Sequence, residues 1–183
     1  MKLIIGLGNP GKKYINSRHN TGFKIIEKTA EKRGVVFRLE PHYKSRFAEM
    51  GDLENRIKLA MPQTFMNESG QAVKISKNYW KVDSEDIWVV HDDVDLALGT
   101  IRISLGGSSA GHKGIQSIID NIGEAFWRVR VGVGKDEKIP TEEWVLMNFS
   151  KNDQENVDNI IDKVSDLVLD SLSKDLEEKT III

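Results

Sequence analysis

The sequence predicts a single globular α/β domain in which a mixed β-sheet is surrounded by α-helices. Short apolar runs typical of buried strands alternate with longer segments whose apolar residues recur at helical spacing. A chain of 183 residues with 39% apolar residues has the usual size of one domain and can bury a substantial core. No internal repeat, linker or low-complexity segment divides the sequence, so we expect one domain over residues 1–183.

The first half of the chain predicts a strand, a helix, a hairpin and a second helix. Residues 2–7 are apolar and end at Gly8-Asn9-Pro10-Gly11, which is typical of a buried strand entering a tight loop. The remaining elements of this half are a helix that Asn20 or Thr21 caps and Gly34 ends, a hairpin of residues 47–50 and 56–60 around a turn at 52–55, and a helix at 69–80.

The second half of the chain continues the alternation and ends in a long amphipathic helix. Ser150 and Asp153 have the spacing of a capping box, so the last helix is expected to begin near Ser150. The elements before it are strands at 87–90 and 100–105, a small-residue loop at 106–111, a helix at 113–122 and a strand at 127–133. The sequence suggests no role for the three isoleucines that end the chain.

The composition excludes several classes of protein. The chain contains no cysteine, so disulfides, thiolate zinc sites and a cysteine nucleophile are excluded. No apolar stretch approaches the roughly 18 residues needed to cross a bilayer, and the first residues enter a strand-like run rather than a signal peptide. We therefore expect a cytoplasmic protein that does not bind membranes.

The charge is distributed unevenly along the chain. The net charge of −2 by itself argues against a nucleic-acid partner, because phosphate binding usually needs a basic surface. Residues 151–183, however, contain four lysines and nine acidic residues, so residues 1–150 carry a net charge of +3. Ten lysines and arginines lie between Gly11 and Arg46, against three glutamates. This stretch is either a phosphate-binding surface or an ordinary solvated helix face with its loops.

The glycine-rich sequence Gly6-Leu7-Gly8-Asn9-Pro10-Gly11 matches the dinucleotide-binding pattern and follows a predicted strand. Its context does not fit that function. A dinucleotide-binding helix opens at the last glycine, whereas residues 12–20 are typical of a loop. The acidic residue expected about 20 positions further on is missing, because Glu27 and Glu31 fall inside the predicted helix. A turn without a function is the simplest alternative.

A second glycine-rich sequence, at residues 106–114, nearly matches a P-loop. Gly106 and Gly111 have the required separation, but His112 intervenes before Lys113, and Gly114 stands in place of serine or threonine. A nucleotide-hydrolysing P-loop is therefore not expected. Two alternatives remain, which are an anion site at the start of the following helix and a flexible loop without a ligand.

His19 has the most favourable surroundings for catalysis among the four histidines of the chain. A single histidine is usually structural or idle, but His19 lies in a polar loop near the amides of Asn9 and Asn20. The strand at 87–90 is followed by His91-Asp92-Asp93-Val94-Asp95. Active sites gather where the strands of an α/β sheet end, so one of these carboxylates is placed to orient an imidazole.

The acidic cluster after this strand is also a candidate site for a divalent cation, because oxygen ligands suit Mg²⁺ and Mn²⁺. Asp92 and Asp93 are adjacent, and adjacent side chains on a strand point to opposite faces of the sheet. We therefore expect one carboxylate to point inward and the others to cap the turn.

A set of residues and motifs extends along nearly the whole chain, namely Gly6-Leu7-Gly8-Asn9-Pro10-Gly11, Tyr14, Arg18-His19-Asn20-Thr21-Gly22, Pro62-Gln63-Thr64-Phe65-Met66-Asn67-Glu68-Ser69-Gly70, His91-Asp92-Asp93-Val94-Asp95 and Gly111-His112-Lys113-Gly114. In order and spacing this set resembles that of bacterial peptidyl-tRNA hydrolases. The resemblance implies one α/β domain that hydrolyses the ester between peptide and tRNA. It also implies a monomer without an obligate protein partner, a metal or another cofactor.

The resemblance implies four catalytic residues. His19 is the base that takes a proton from water, and Asp92 holds its imidazole and favours its basic form. Asn67 is an amide that binds the substrate and stabilises the developing oxyanion. Asn9 distinguishes a blocked α-amino group, as in a peptide, from the free ammonium group of an ordinary aminoacyl-tRNA. Histidine suits the reaction because it acts as a base near neutral pH without a metal or a covalent intermediate.

The resemblance also implies a set of substrate-binding residues. Tyr14, Phe65 and Met66 match positions that line the groove for tRNA and peptide. Asn67 belongs to the same groove, and Arg130 matches a position suited to the terminal phosphate of tRNA.

The chain departs from the family pattern at two positions. Lys113 stands where the family usually has asparagine, and Ala110 stands where it commonly has glycine. Because lysine only donates hydrogen bonds and adds a charge, we expect Lys113 to contact phosphate or ribose oxygens of the acceptor end. A relative that binds RNA without hydrolysing it is the main alternative function.

Overall fold

The computed structural model describes residues 1–52, 55–173 and 176–183. The strands are β1 at Lys2–Gly6, β2 at Arg38–Glu40, β3 at Ser45–Met50, β4 at Ile57–Pro62, β5 at Ile87–Asp93, β6 at Thr100–Leu105, β7 at Trp127–Gly132 and β8 at Lys179–Ile182. The helices are α1 at Thr21–Lys32, α2 at Ser69–Trp80, α3 at Lys113–Ile122, the short α4 at Thr141–Trp144 and α5 at Gln154–Asp170.

The strands form one mixed sheet in the order β2-β3-β4-β1-β5-β7-β6-β8. The four central strands are parallel, because β1 pairs in parallel with β4 and β5, and β5 with β7. The strands β2, β3, β6 and β8 extend the two sides with antiparallel pairs. The predicted α/β fold with a mixed sheet is confirmed. The carboxyl ends of the parallel strands meet at one edge of the sheet, where binding sites are expected.

Helices cover both faces of the central strands. The helices α1 and α5 pack on the face that carries Ile4 and Trp88, and α2 and α3 pack on the face that carries Leu3 and Val89. Strands that are buried on both faces are apolar at consecutive positions rather than at alternate ones. This explains why β1 and β5 were recognisable in the sequence as continuous apolar runs.

Two glycines allow α1 to lie directly against the sheet. A Cβ atom at Gly6 would collide with the backbone carbonyl of Gly22, and one at Gly22 would collide with the carbonyl of Val90. The first turn of α1 therefore touches the ends of β1 and β5. This close approach brings the residues just before α1, including His19, to the carboxyl edge of the sheet.

Several predicted elements differ in extent from those observed. β5 continues through Asp93, because its ladder with β7 extends to the pair Asp93 and Gly132, whereas the sequence predicts an end at Val90. α5 begins at Gln154, although the predicted hydrogen bonds between Ser150 and Asp153 are formed. β3 and β4 form the predicted hairpin, and residues 53 and 54 of its turn lie outside the described residues.

The isoleucine-rich end of the chain forms β8, an edge strand that has no counterpart among the predicted elements. β8 pairs with β6, and the side chains of Ile181 and Ile183 pack against the core. Ile182 points the other way and is 83% exposed. The tail therefore extends and stabilises the sheet. In the part of the chain that the structure describes, no helix has the length and apolar character needed to cross a membrane.

Several basic residues between Gly11 and Arg46 form ion pairs within the fold. Lys32 Nζ lies 2.9 Å from a carboxylate oxygen of Asp162 and 2.6 Å from one of Asp166, both on α5. Two further pairs are Lys28 with Glu31 and Arg46 with Glu27. The acidic helix α5 thus neutralises part of the basic stretch, which favours the interpretation of α1 as an ordinary solvated helix face.

Candidate active site

A cavity of about 680 Å³ opens at the carboxyl edge of the central strands. Its lining includes residues 91–95, from the end of β5 and the turn that follows. It also includes residues 65–67 before α2, residues 108–113 at the start of α3 and residues in and after α4. His19 and Asn9 also line the cavity. Residues that are far apart in the sequence thus meet around one space.

The structure brings His19 and Asp92 together. His19 lies in a short 3₁₀ turn directly before α1, and its Nδ1 is 2.9 Å from both carboxylate oxygens of Asp92. An ionised carboxylate only accepts hydrogen bonds, so Nδ1 carries the proton and the neutral ring has its lone pair on Nε2. Among the described residues Nε2 has no hydrogen-bond partner, and the ring lines the cavity. The lone pair is therefore available to a molecule in the cavity.

A second imidazole, that of His112, also binds Asp92. His112 immediately precedes α3, and its Nε2 lies 3.0 Å from Asp92 Oδ1. Its Nδ1 accepts the backbone N–H groups of Gly114 and Ile115 at 3.1 and 3.2 Å, which caps α3. Sequence reasoning gave His112 no role, because its contact with Asp92 is long-range. A polar residue immediately before a predicted helix was the only available signal.

The carboxylate of Asp92 is completely buried and remains ionised. Burial alone would raise the pKa of Asp92, but attraction to His19 and His112 and hydrogen bonds from both rings outweigh it and hold the pKa well below its usual value. The side chain therefore supplies a fixed negative charge beneath the two imidazoles.

An amide network fixes the orientation of Asn9. The Oδ1 of Asn9 accepts the backbone N–H of Met66 at 2.8 Å, so the Nδ2 group points away from that contact as a donor. The side chain of Asn20 bonds to the backbone N–H and carbonyl of Asn9 at 2.9 and 3.0 Å. Asn20 or Thr21 was expected to cap α1; Asn20 makes no capping bond and instead braces the loop that holds Asn9.

Three consecutive predicted residues, Phe65, Met66 and Asn67, line the cavity. Phe65 is 54% exposed, and Asn67 is exposed with no hydrogen-bond partner among the described residues, so both are accessible to a ligand. Met66 is only 4% exposed and belongs to the core under α2 and α3. Its main contribution to the site is the backbone N–H that orients Asn9.

Lys113 and Arg130 lie at the edge of the cavity, whereas Tyr14 does not. Lys113 is exposed at the first turn of α3, and Arg130 Nε donates to Asp93 at 2.7 Å. Tyr14 was predicted to line the groove, but it is absent from the described lining and contacts Lys13 instead. None of the residues in the 3₁₀ turn at Lys12–Tyr14 is buried, and the role of Tyr14 in a wider groove stays a prediction.

Comparison with known proteins identifies the family. The family profile described as peptidyl-tRNA hydrolase matches residues 3–181. A peptidyl-tRNA hydrolase from Fusobacterium nucleatum is 41% identical over 174 residues, covering 94% of this chain and 90% of that protein. One from Ligilactobacillus salivarius is 42% identical over 160 residues, covering 87% of this chain and 86% of that protein. The chain belongs to the peptidyl-tRNA hydrolase family.

The fold agrees with a solved structure of the same family. The crystal structure of peptidyl-tRNA hydrolase from Acinetobacter baumannii superposes with a TM-score of 0.87 at 33% identity. The match covers 94% of this chain and 89% of that one. The resemblance deduced from the motifs is therefore confirmed at the level of both sequence and fold.

The conformation of Ala110 suits the glycine that the family resemblance predicts at this position. The φ angle of Ala110 is 46°, in the left-handed region where glycine adopts the conformation without a steric penalty. This chain keeps the turn before α3 with an alanine, at a cost of about 1 kcal/mol.

Arg18 is buried and binds the segment after α4, which contributes residues to the cavity lining. Its Nη1 donates to the carbonyls of Met147 and Asn148 at 3.1 and 2.9 Å, and its guanidinium stacks 3.5 Å from the ring centroid of Trp144. Burial lowers the pKa of Arg18. The backbone N–H of the adjacent His19 donates to the carbonyl of Val145 at 2.8 Å. The segment after α4 is therefore tied directly to the loop that carries His19.

His91 is a third imidazole at this site, and it is buried beneath the other two. Its Nδ1 donates to the carbonyl of Asp92 at 2.7 Å, and its ring lies 4.8 Å from that of His112. Burial, together with repulsion from His112 and Arg128, lowers the pKa of His91 well below its usual value. At the pH at which an unfolded histidine begins to take a proton, His91 therefore remains neutral in the folded protein.

We predict that His91 makes the protein less stable as the pH falls below about 6.5, the value for an unperturbed histidine. Because the folded-state pKa of His91 is lowered, the unfolded chain binds more protons there, and the free energy of unfolding falls by up to about 1.4 kcal/mol per pH unit. His91→Asn keeps a donor near Nδ1 but does not titrate, so this slope should flatten. Denaturant unfolding at several pH values measures it.

The control for His91→Asn is His42→Asn, the same substitution at an exposed histidine. This control should leave the pH dependence of the unfolding free energy as it is in the wild type. If His91→Asn and the wild type show the same dependence between about pH 6.5 and 5, burial of a neutral His91 does not contribute to acid sensitivity.

The hydrogen bonds around Asp92 do not favour a metal ion. His19, Asp92 and His112 offer ligand atoms within 4.8 Å of one another, so a metal must be considered. The Nδ1 of His112, however, accepts two backbone N–H groups and cannot carry a proton there. Binding a metal through Nε2 would then require an anionic imidazolate or the loss of the cap on α3.

The acidic cluster proposed as an alternative cation site is not brought together. Asp92 points inward to the two imidazoles, as expected for one carboxylate of the cluster. Asp93 instead binds Arg130, and it accepts the backbone N–H of Asp95 at 2.9 Å, which caps the turn. Asp95 lies 3.5 Å from Lys135. The prediction of one inward carboxylate with the others in the turn agrees with this arrangement.

The two glycine-rich loops do not form nucleotide sites. After Gly11 the chain enters two 3₁₀ turns, and α1 starts only at Thr21, so no helix opens at the last glycine of the first motif. In the second loop, His112 uses its side chain to occupy the N–H groups of Gly114 and Ile115. A phosphate could not use those two groups, which removes most of the support for an anion site at this helix.

Proposed function

We propose that this protein hydrolyses the ester between a peptide and tRNA, with a water molecule activated by His19 and without a metal or another cofactor. Hydrolysis of peptidyl-tRNA follows from membership of the family, whose profile covers residues 3–181. The observation that supports the mechanism is the position of His19. Its Nδ1 is held by a buried, ionised Asp92, while its Nε2 is free towards the cavity.

In the proposed reaction, Nε2 of His19 takes a proton from water as the water oxygen attacks the ester carbonyl carbon. The negative charge of Asp92 stabilises the imidazolium that forms. The tetrahedral intermediate then expels the ribose oxygen of tRNA, which takes the proton from His19. The products are tRNA with a free ribose hydroxyl and a free peptide carboxylic acid, which loses its remaining proton to the solvent, and no bond to the protein is formed.

We assign the remaining polar groups of the cavity to substrate binding. Asn67 lines the same cavity as His19, its amide has no partner among the described residues, and it would donate to the oxyanion of the tetrahedral intermediate. The Nδ2 donor of Asn9 favours an acceptor such as the carbonyl of a peptide bond over the ammonium group of a free amino acid. Phe65 offers exposed apolar surface for the peptide or for a base of the acceptor end.

Lys113 and Arg130 are proposed to bind the phosphates of tRNA. Arg130 is only partly available, because Asp93 occupies its Nε. Lys113 has no such partner among the described residues and is exposed. We therefore expect Lys113 to make the larger contribution to the salt dependence of binding.

We predict that Lys113→Ala weakens binding of peptidyl-tRNA by about 1 to 3 kcal/mol, the range for a hydrogen bond to a charged group. The slope of log affinity against log salt should flatten by about 0.7 to 0.9, which corresponds to one counterion. Turnover at saturating substrate should change little, because His19 and Asp92 are untouched. A large fall in saturated turnover with an unaltered salt slope would show that Lys113 acts on the reacting ester.

The decisive experiment compares two substrates. The purified protein is incubated with N-acetyl-aminoacyl-tRNA and with the unblocked aminoacyl-tRNA, each with and without a chelator. Release from the blocked substrate only, at the same rate with chelator, is the expected result. Release that stops with chelator would contradict the metal-independent mechanism, and equal release from both substrates would contradict the role of Asn9.

The alternative is a relative that binds RNA but does not hydrolyse it. In the substrate comparison this protein would retain the blocked tRNA without releasing the peptide. The complete set of His19, Asp92, Asn9 and Asn67 around one cavity favours the enzyme. We further propose that the protein acts in the cytoplasm as a monomer, with peptidyl-tRNA as its partner.

A further inference from the structure

We infer that His112 is a positioning residue for the proposed reaction, which fixes the Asp92 carboxylate and limits how strongly that carboxylate holds a proton on His19. The inference rests on the proposed role of His19 as the base. Two imidazoles share one carboxylate, and the structure gives them different chemical states. His19 has a free Nε2, whereas both nitrogens of His112 are bound.

The start of α3 determines the tautomer of His112. Its Nδ1 accepts the backbone N–H groups of Gly114 and Ile115, so this nitrogen must present a lone pair. The proton of the neutral ring then lies on Nε2, which points at Asp92 Oδ1 at 3.0 Å. Turning the ring would uncap the helix and leave two N–H groups without partners. His112 is thus a fixed donor to Asp92.

The N–H group of His112 competes with His19 for the charge of Asp92. A carboxylate that accepts a hydrogen bond from His112 has less negative charge to offer to the imidazolium form of His19. Because Asp92 and His112 are almost completely buried, with side-chain exposures of 1% and 10%, water screens this effect poorly. His112 therefore favours release of the proton from His19 in the second step of the reaction.

Other charged groups surround this pair and must be kept constant in any test. The charged or titratable groups that face Asp92 and the two rings from the neighbouring elements are His91 and Asp93 on β5, Arg128 and Arg130 on β7, Asp95 in the turn after β5, Lys113 on α3 and Glu142 on α4. A substitution at His112 changes none of these residues.

The test replaces His112 with asparagine. An asparagine at this position still caps α3 through its Oδ1, but its amide is too short to reach Asp92 as the imidazole does. We expect the acidic limb of the pH profile of kcat/KM to move to higher pH in His112→Asn, since Asp92 then holds the proton on His19 more strongly. His42→Asn, at an exposed histidine, should leave this profile unchanged.

An acidic limb of the kcat/KM profile that is unchanged or lies at lower pH in His112→Asn would overturn the inference. If that variant does not fold, the tautomer of His112 in the wild-type protein decides. Long-range ¹H–¹⁵N spectra of ¹⁵N-histidine-labelled protein should show Nε2 protonated and Nδ1 unprotonated near neutral pH. A proton on Nδ1 would contradict the inference. These spectra need no substrate, so they remain decisive even if the wild-type protein released no peptide and the proposed function failed.

Discussion

Replacing His19 with alanine is expected to lower the turnover of peptidyl-tRNA at least about 100-fold, the low end for loss of a general base. The reason is that the other imidazoles near the cavity have no accessible lone pair. Both nitrogens of His112 are bound, and Nε2 of His91 is buried. Single-turnover release of N-acetylated amino acid measures the loss, and binding of tRNA should stay within a few-fold of wild type.

The matched control for His19→Ala is His19→Asn. The amide of asparagine can donate to Asp92 from nearly the position of Nδ1, so it preserves the hydrogen bond to Asp92. It offers no base at the position of Nε2. Equal loss of turnover in both variants, with unchanged melting temperatures, assigns the loss to the base. A His19→Asn variant with near wild-type turnover would show that His19 has only a structural role.

The central elements of the fold were predictable because their signals are local. β1 and β5 are buried on both faces and therefore apolar throughout, and α3 has its apolar residues on one face. β2 has three residues and α4 has four, which is too short for any periodicity to appear. β8 depends on pairing with β6, which is about 75 residues away in the chain, and no local pattern encodes such a contact.

The site was predictable to the extent that the sheet topology determines it. Because β5 is a buried strand followed by carboxylates, one of them was expected to meet an imidazole at the carboxyl edge of the sheet, and Asp92 does so. The roles of His112 and Arg18 could not be derived in this way. Both depend on backbone groups that only the folded chain presents, which are the first turn of α3 and the carbonyls after α4.

The state of His112 leads to the second large prediction, which concerns Asp92→Asn. We expect this substitution to lower turnover by on the order of 10³-fold, although it changes neither size nor shape, because it forces the wrong tautomer on a catalytic imidazole. Asp92 accepts from both rings, but an asparagine offers one accepting oxygen and one donating NH₂ group. His112 cannot change its donor without uncapping α3, so the oxygen must face His112.

With the oxygen of the substituted amide facing His112, its NH₂ group must face Nδ1 of His19, which then has to accept. The proton of His19 moves to Nε2, which no longer takes a proton from water. ¹⁵N spectra should show this change of tautomer directly.

The double variant Asp92→Asn/His112→Asn frees the amide to turn its oxygen towards His19, so it should be more active than Asp92→Asn alone. If Asp92→Asn retained the wild-type tautomer of His19, or if the double variant were the less active of the two, the competition between the two imidazoles would not control the base.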